Sequence, residues 1–537
     1  MGELEVKTKA PCREACPAGV DVPRYVRCIK EGKFDQALSV IRERIPFPAV
    51  CAYACVHPCE SKCARQQYDE PVAIRMLKRA AVEKGGEAWK GKLGPIPPTG
   101  KKVAVVGAGP CGLTAAYYLA GKGHRVTVFE VMPSSGGMLR YGIPEYRLPK
   151  EVVDREINVI KDRGVEIKTG ARVESAEKLL YEGYDAVLVA AGSWLGLGIE
   201  LEGGSVGVMD GISFLRAVNT GNPPAVGEKV LVVGGGNTAI DAARSSVRLG
   251  AREVVVLYRR TRAEMPASPE EVAEAVEEGI KFEFLATPKA IEKNNVVCVR
   301  MALGEPDESG RPRPVPVEGS EFTISCNTMI AAVGQSADAF SLGLEGNADG
   351  TIKVDPDTLA TSLKGVFAAG DAVTGPSSII QAIAQGRRAA SSIDKYLGGN
   401  GVIDEKLAED TKVSLREDAP RGTARHIAPA ITAEERKGGF KLVEQGYDDL
   451  TAVREAQRCL SCDLRHFNVE VNVNICKGCG YCKEVCTLGV FTISGFFNSS
   501  GYKPMVAAHT EKCMGCLRCL TVCPDFAITV REMSVLK

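Results

Sequence analysis

The chain has 537 residues, with 67 lysines and arginines against 67 aspartates and glutamates, so no net charge draws it to nucleic acid or an anionic membrane. Its longest apolar runs, such as "KVLVVGG" and "DAVLVAAG", are strand-sized, far below the roughly 20 residues of a membrane helix. The start "MGELEVKTKAP" has neither a signal-peptide core nor a myristoylation pattern, which leads us to expect a cytoplasmic protein. Twenty cysteines in such a setting point to metal rather than to disulfides.

The length suggests about three to five domains. Six cysteines fall in the first segment, in "APCREACPAGVDVPRYV" and "IPFPAVCAYACVHPCESKC": Cys12, Cys16, Cys51, Cys55, Cys59 and Cys63. Next comes "KKVAVVGAGPCGLTAAYYLAGKGHRVTVFE". A strand runs into Gly107, Gly109 and Gly112, a helix follows, and a second strand ends at Glu130. This is a complete dinucleotide fingerprint, in which glycines let the backbone approach a pyrophosphate at a helix N-terminus and the acid accepts from the ribose.

A second fingerprint lies at "KVLVVGGGNTAIDAARSSVRLGAREVVVLYRRTRAEMP", with Gly234, Gly235 and Gly236 in the turn. Its second strand ends in Arg259 and Arg260 instead of an acid. Guanidinium groups suit a ribose 2′-phosphate, which predicts NADPH over NADH, although a solvated basic turn is the plain alternative. Asn237 and Thr238 open the helix near the pyrophosphate, and Asp241 caps or buttresses it.

The stretch "GVFAAGDAVTGPSSIIQAIAQGRRAA" at 365–390 looks like the second flavin motif of flavoproteins with two dinucleotide folds, in which Gly370 precedes the ribityl-binding Asp371. Ile380 and Gln381 would open a helix facing the flavin C2 carbonyl. The first fold should therefore hold FAD and the inserted one NADPH. Cys28, Cys111, Cys298 and Cys326 are isolated and read as packing, so no dithiol stands ready for disulfide reduction.

Near the C-terminus, Cys476, Cys479, Cys482 and Cys486 form CxxCxxCxxxC, and Cys513, Cys516, Cys519 and Cys523 repeat it. The pair of runs resembles a bacterial ferredoxin with two [4Fe-4S] clusters, in which the fourth cysteine of each run serves the other cluster. That pattern groups Cys476, Cys479 and Cys482 with Cys523, and Cys513, Cys516 and Cys519 with Cys486. Paired zinc sites are the alternative. Thr487 stands where the first run usually has proline.

The remaining pair, Cys459 and Cys462, lies alone in "EAQRCLSCDL". With the six N-terminal cysteines it makes eight, the ligand count of two more [4Fe-4S] clusters. The N-terminal cysteine segments, "GAGPCGLTAAYYLA", "GGMLRYGIPEYRLPKEVVDREI", "GGGNTAIDAAR" and "YRRTRAEMPA" together resemble the small subunit of NADPH-dependent glutamate synthase over residues 1 to about 400. They also resemble the N-terminal part of dihydropyrimidine dehydrogenase and the large subunit of the electron-bifurcating NADH-dependent ferredoxin:NADP oxidoreductase. In that family a CxxC pair precedes "ACPAG"; here it is missing and looks displaced to Cys459 and Cys462. The resemblance implies that these two join Cys12 and Cys63, while Cys16, Cys55 and Cys59 hold another cluster. Its fourth ligand is a non-cysteine residue in many members, and Cys51 is the candidate by proximity. A remnant, or a zinc site at a partner contact, is the other reading of the lone pair.

The resemblance also implies that Gly136, Gly137, Met138, Tyr141, Gly142, Ile143 and Arg147 line the flavin ring, with Gly334 and Gln335 approaching the nicotinamide. The expected fold class is α/β. A helical iron–sulfur domain spans 1–95, an FAD domain 96–225 and 335–400, an NADPH domain 226–334, a wrapping linker 401–465 and an α+β ferredoxin domain 466–537. FAD, NADPH as substrate and four [4Fe-4S] clusters are the expected cofactors. The expected activity is reversible NADPH oxidation feeding ferredoxin or an NAD-reducing partner subunit in a hetero-oligomer, with an electron-bifurcating transhydrogenase favoured. A glutamate synthase-like small subunit and a non-enzymatic electron relay are the alternatives.

Overall fold

The computed structural model describes residues 10–307, 310–338, 342–409 and 422–533. The start "MGELEVKTK" and residues 410–421, most of the linker stretch expected to take a solvated surface path, lie outside the described residues. Among the described residues no helix is long and apolar enough to cross a membrane.

The N-terminal segment folds as short helices, several of which begin at or next to a proline, where the missing N–H costs nothing. Cys12 lies on Pro11–Glu14, Cys51 on Pro48–Ala54 and Cys59 on Pro58–Ser61, and the longer helices Phe34–Arg42 and Ile74–Lys84 pack behind them. Glu156, on the helix Lys150–Asp162 of the next unit, accepts from the Ala49 amide at 2.8 Å and pairs with Arg42 at 3.0 Å. Both carboxylate oxygens are buried, so this tie fixes the Cys51 helix to the first dinucleotide fold.

That fold is a parallel sheet in the order Val366–Ala368, Ala186–Val189, Lys102–Val106, Arg125–Phe129, Glu166–Lys168. Val103, Ala104 and Val105 are wholly buried, as a strand covered on both faces requires. The second parallel sheet runs Lys281–Phe284, Glu253–Tyr258, Lys229–Val233, Thr328–Ala331, Gly207–Asp210. Because Gly207–Asp210 pairs with Thr328–Ala331, the chain enters this second unit before residue 226. A mixed sheet built on the antiparallel pair Ala286–Glu292 and Asn295–Pro306 is appended to it. The two crossing segments, Leu195–Gly196 and Gln335–Ser336, pair with each other as the chain leaves and returns.

Residues 401–409 and 422–465 are strapped to the N-terminal helices. Leu407 and Ala408 donate their amides to Glu43 at 3.1 Å, and Arg24 donates to the Ala408 carbonyl. Farther on, Glu444 pairs with Arg75 and Arg79, Arg425 with Glu60 at 2.7 Å, and Asp463 with Arg27. Arg458 is buried and reaches Glu455 at 2.8 Å and Asp69 at 3.1 Å, while Arg65 donates to the Arg458 carbonyl. In the ferredoxin module the end strands His466–Val471 and Ile528–Met533 pair antiparallel around a core that includes Cys476, Cys482 and Cys519.

Candidate functional site

A cavity of about 1350 Å³ runs across both dinucleotide folds. Gly107, Gly109, Glu130, Gly137, Met138, Arg147 and Asp371 line it on one side, with Gly234, Gly236, Asn237, Thr238, Arg259 and Arg260 on the other. Glycine is required where the walls close: a Cβ on Gly107 would sit 2.4 Å from the Ala190 carbonyl, and one on Gly137 would sit 2.8 Å from the Gly109 Cα. Gly112, Gly370 and Gln381 do not line the cavity. Gly112 packs its helix on the strand turn, where a Cβ would meet the Gly107 carbonyl at 2.1 Å, and Gly370 adopts a left-handed φ of 73° against Cys111. The Gln381 amide is taken by the Ser378 cap of the helix Ile379–Tyr396, so Ser378, Ile379 and Ala382 form the wall there.

Glu130 is buried and accepts from the Ala108 and Met132 amides at 2.8 and 2.9 Å; burial holds its carboxyl above the usual range despite those bonds. Of the loop expected beside the flavin ring, Gly137, Met138, Gly142, Ile143 and Arg147 face the cavity, while Gly136 and Tyr141 do not. Arg147 is committed elsewhere as well: it bonds Asp241 at 2.8 Å and Glu271 at 2.8 Å, so Asp241 ties the two folds together rather than capping its helix. Gly334 and Gln335 line the cavity between the two folds.

The two arginines at the second fingerprint separate. Arg259 is exposed at the cavity rim and has no ion pair among the described residues. Arg260 is buried, paired with Asp307 at 2.6 Å and donating to the Pro312 carbonyl at 2.7 Å. The hairpin of Asn295–Pro306 and Pro312–Pro316 thus takes up the Arg260 charge.

The cysteines gather in fours. Cys12 faces Cys459, Cys462 and Cys63 around a small cavity also lined by Leu460 and Arg65. Cys16, Cys51, Cys55 and Cys59 gather about the ammonium of Lys78. Within this set the Cys51 thiol bonds Cys55, and the His57 amide donates to the Cys55 sulfur at 3.4 Å. Burial pushes the Cys12, Cys59 and Cys462 thiols up; neighbouring sulfurs push Cys12 and Cys462 further, whereas Lys78 opposes the rise at Cys59. Packed thiols of this kind ionise readily only when positive metal stands between them, and the donor set fits iron–sulfur clusters.

In the ferredoxin module Cys482 faces Cys476, Cys479 and Cys523, whereas Cys519 faces Cys516, Cys513 and Cys486. The amides of Met505, Ala527 and Gly515 donate to Cys476, Cys523 and Cys513 at 3.3 to 3.4 Å. Thr487 accepts from Gln67 of the N-terminal domain, so the position that departs from proline is an interdomain contact. Beside it, Tyr68 donates to the Gly515 carbonyl at 3.0 Å, and Ala64, Leu460 and Met514 share a buried cluster against Cys462 and Leu488. Sequence reasoning missed two features of the site. Ala54 and Val56, which flank Cys55, form part of the cavity wall, and Lys78 sits inside a cysteine set. No local motif announces either, because both depend on how separate helices pack.

Comparison with known proteins agrees with these parts. Residues 101–386 match the family described as pyridine nucleotide-disulphide oxidoreductase, residues 6–88 match dihydropyrimidine dehydrogenase domain II with its 4Fe-4S cluster, and residues 475–527 match a 4Fe-4S dicluster domain. The chain is 45% identical over 502 residues to the β subunit of NADP(+)-dependent formate dehydrogenase from Moorella thermoacetica, covering 84% of this chain and 70% of that one. It is 40% identical to the β subunit of NADPH-Fe(3+) oxidoreductase from Geobacter sulfurreducens, with 85% and 75% covered. Against the small chain of NADPH glutamate synthase from Azospirillum brasilense it is 36% identical, with 72% and 86% covered. Mycobacterium tuberculosis FprA in complex with NADPH shares the fold at a TM-score of 0.50 and 20% identity, over 56% of this chain and 85% of that one. The chain belongs to the pyridine nucleotide-disulphide oxidoreductase family, and within it to the NADPH-dependent flavin and iron–sulfur oxidoreductases that include the glutamate synthase small chain.

Proposed function

We propose that this protein is the NADPH-linked subunit of a hetero-oligomeric redox enzyme and that its cysteine sets form a single file of four [4Fe-4S] clusters leading from flavin to a partner. FAD would lie on Gly107, Gly109, Gly137, Glu130 and Asp371, with NADPH on Gly234, Gly236, Asn237, Thr238 and Arg259. When bound, the flavin takes a two-electron hydride and releases electrons one at a time. The protein's part is to place the nicotinamide against the flavin ring and to keep that contact dry.

The observation that carries the reading is the order of the sets. Ala54 and Val56, on either side of Cys55, line the main cavity, which supports a position nearest the flavin for the Cys16, Cys51, Cys55, Cys59 set. Cys12 faces Cys59 as well as Cys459, Cys462 and Cys63, so the next set adjoins it. Cys462 then packs with Met514 and Leu488 beside the set of Cys486, Cys513, Cys516 and Cys519. The last set, Cys476, Cys479, Cys482 and Cys523, includes the exposed Cys479, which suits an exit to ferredoxin or to a partner's redox centre.

Relatives named as β subunits and as a small chain support a partnered enzyme. Electron bifurcation between NAD and ferredoxin is the finer possibility. A single file offers one exit, so bifurcation would require a partner to supply a second path at another face of the flavin. An anaerobic titration with NADPH and separately with NADH, following flavin bleaching, tests the reading. We expect bleaching by NADPH at far lower concentration than by NADH. No bleaching by either would leave only the relay role.

A further inference from the structure

We propose that Lys78 is a fixed countercharge that raises the reduction potential of the cluster held by Cys16, Cys51, Cys55 and Cys59, making it the electron acceptor beside the flavin. The proposal rests on the cluster reading above.

Lys78 lies on the inner face of the helix Ile74–Lys84 and is only 5% exposed. A lysine is seldom buried unless its charge is paired, because an isolated ammonium in a dry interior is costly. Among the described residues it pairs with no carboxylate. The helix that carries it packs on the Cys51 helix Pro48–Ala54 and the Cys59 helix Pro58–Ser61, and the charge-bearing groups it faces are the sulfurs of Cys51, Cys55, Cys16 and Cys59. The anion that justifies the charge is therefore the contents of this cysteine set.

The neighbouring set is built differently. Arg27, near Cys459, is neutralised by Asp463 at 2.7 Å, and Arg458, near Cys63, by Glu455 at 2.8 Å and Asp69 at 3.1 Å. Cations approach both N-terminal sets, but only the set nearest the flavin meets one without a carboxylate partner. Reduction adds one negative charge to a cluster, so an unscreened ammonium favours the reduced form, and net charge and burial are levers on cluster potential. The step involves electron transfer alone.

The test uses the full chain with clusters intact. K78M and K78R are compared with the wild type by iron content and by redox titration monitored by electron paramagnetic resonance. K78M is expected to keep its iron and to lower one cluster's potential by at least a tenfold change in its reduction equilibrium, about 59 mV for one electron. K78R, which keeps the charge, should shift it far less. If K78M fails to hold iron, K78Q takes its place in the same titration. All potentials unchanged, or an equal fall in K78R, would overturn the proposal. The cluster reading fails separately: C55S that kept the wild-type iron content would remove it whatever Lys78 does.

Discussion

At the residue scale, the two arginines of the second fingerprint have different work. Arg259 is free at the rim, so R259Q should raise KM for NADPH roughly 10- to 100-fold, the loss of a charge-assisted contact of about 1.5 to 3 kcal/mol, and leave kcat and the use of NADH nearly unchanged. Arg260 serves Asp307 and Pro312, so R260Q should lower thermal stability with a much smaller change in KM. Equal KM effects from both would contradict this division. The sequence showed that arginines stand where an acid is usual, a local fact. It did not show which is free, because the Arg260 partners come from a hairpin some 50 positions onward. Gly107 and Gly234 were legible for the opposite reason: the glycine spacing of each strand–turn–helix unit marks them locally, although the carbonyls that crowd them, Ala190 and Ala332, come from the ends of distant strands.

At the scale of elements, the helix Asn237–Arg248 is held by charge more than its fingerprint suggested. Arg244 and Arg248 both bind Glu278, whose side chain is fully buried. Burial pushes the Glu278 carboxyl up, but hydrogen bonds from Arg248 and Arg244 outweigh it and hold it below the usual range. A depressed carboxyl stabilises the fold fully above its unfolded value, about pH 4.3, and that stability is lost as pH falls through the folded value. E278Q should therefore unfold at lower temperature than wild type at pH 7, by the roughly 3 to 5 kcal/mol of a broken buried pair. The gap should be constant between about pH 6 and 8 and narrow toward pH 4; a gap that widened on acidification would be the wrong sign. Likewise, Asp241 read as a cap or buttress in the sequence, and only the fold shows its partner to be Arg147 on the flavin loop.

At the scale of the whole molecule, the strap is the device that makes one object of five segments. In sequence, Cys459 and Cys462 were a fragment whose meaning came from counting cysteines and from a gap in the N-terminal pattern. The contact with Cys12 and Cys63 spans about 400 positions and is enforced by the buried pair of Arg458 with Glu455 and the part-buried pairs of Arg458 with Asp69 and Arg27 with Asp463. Such pairs leave no periodic signature. The docking of the ferredoxin module through Gln67, Tyr68, Thr487 and Met514 was equally silent, since its residues are polar or apolar in no pattern. The segment Gly207–Asp210 was read with the first fold because strand pairing across the insertion cannot be seen in a linear chain.

On the proposed single-file path the strap is indispensable to electron flow but not to hydride entry. The most direct measurement is rapid mixing of NADPH with wild type and with C459S/C462S, following flavin bleaching optically and cluster reduction by freeze-quench electron paramagnetic resonance. The variant should lose about one cluster's iron, bleach its flavin at the wild-type rate and leave the ferredoxin-module clusters oxidised. Ferredoxin-module clusters reduced at the wild-type rate, with iron content unchanged, would contradict the path.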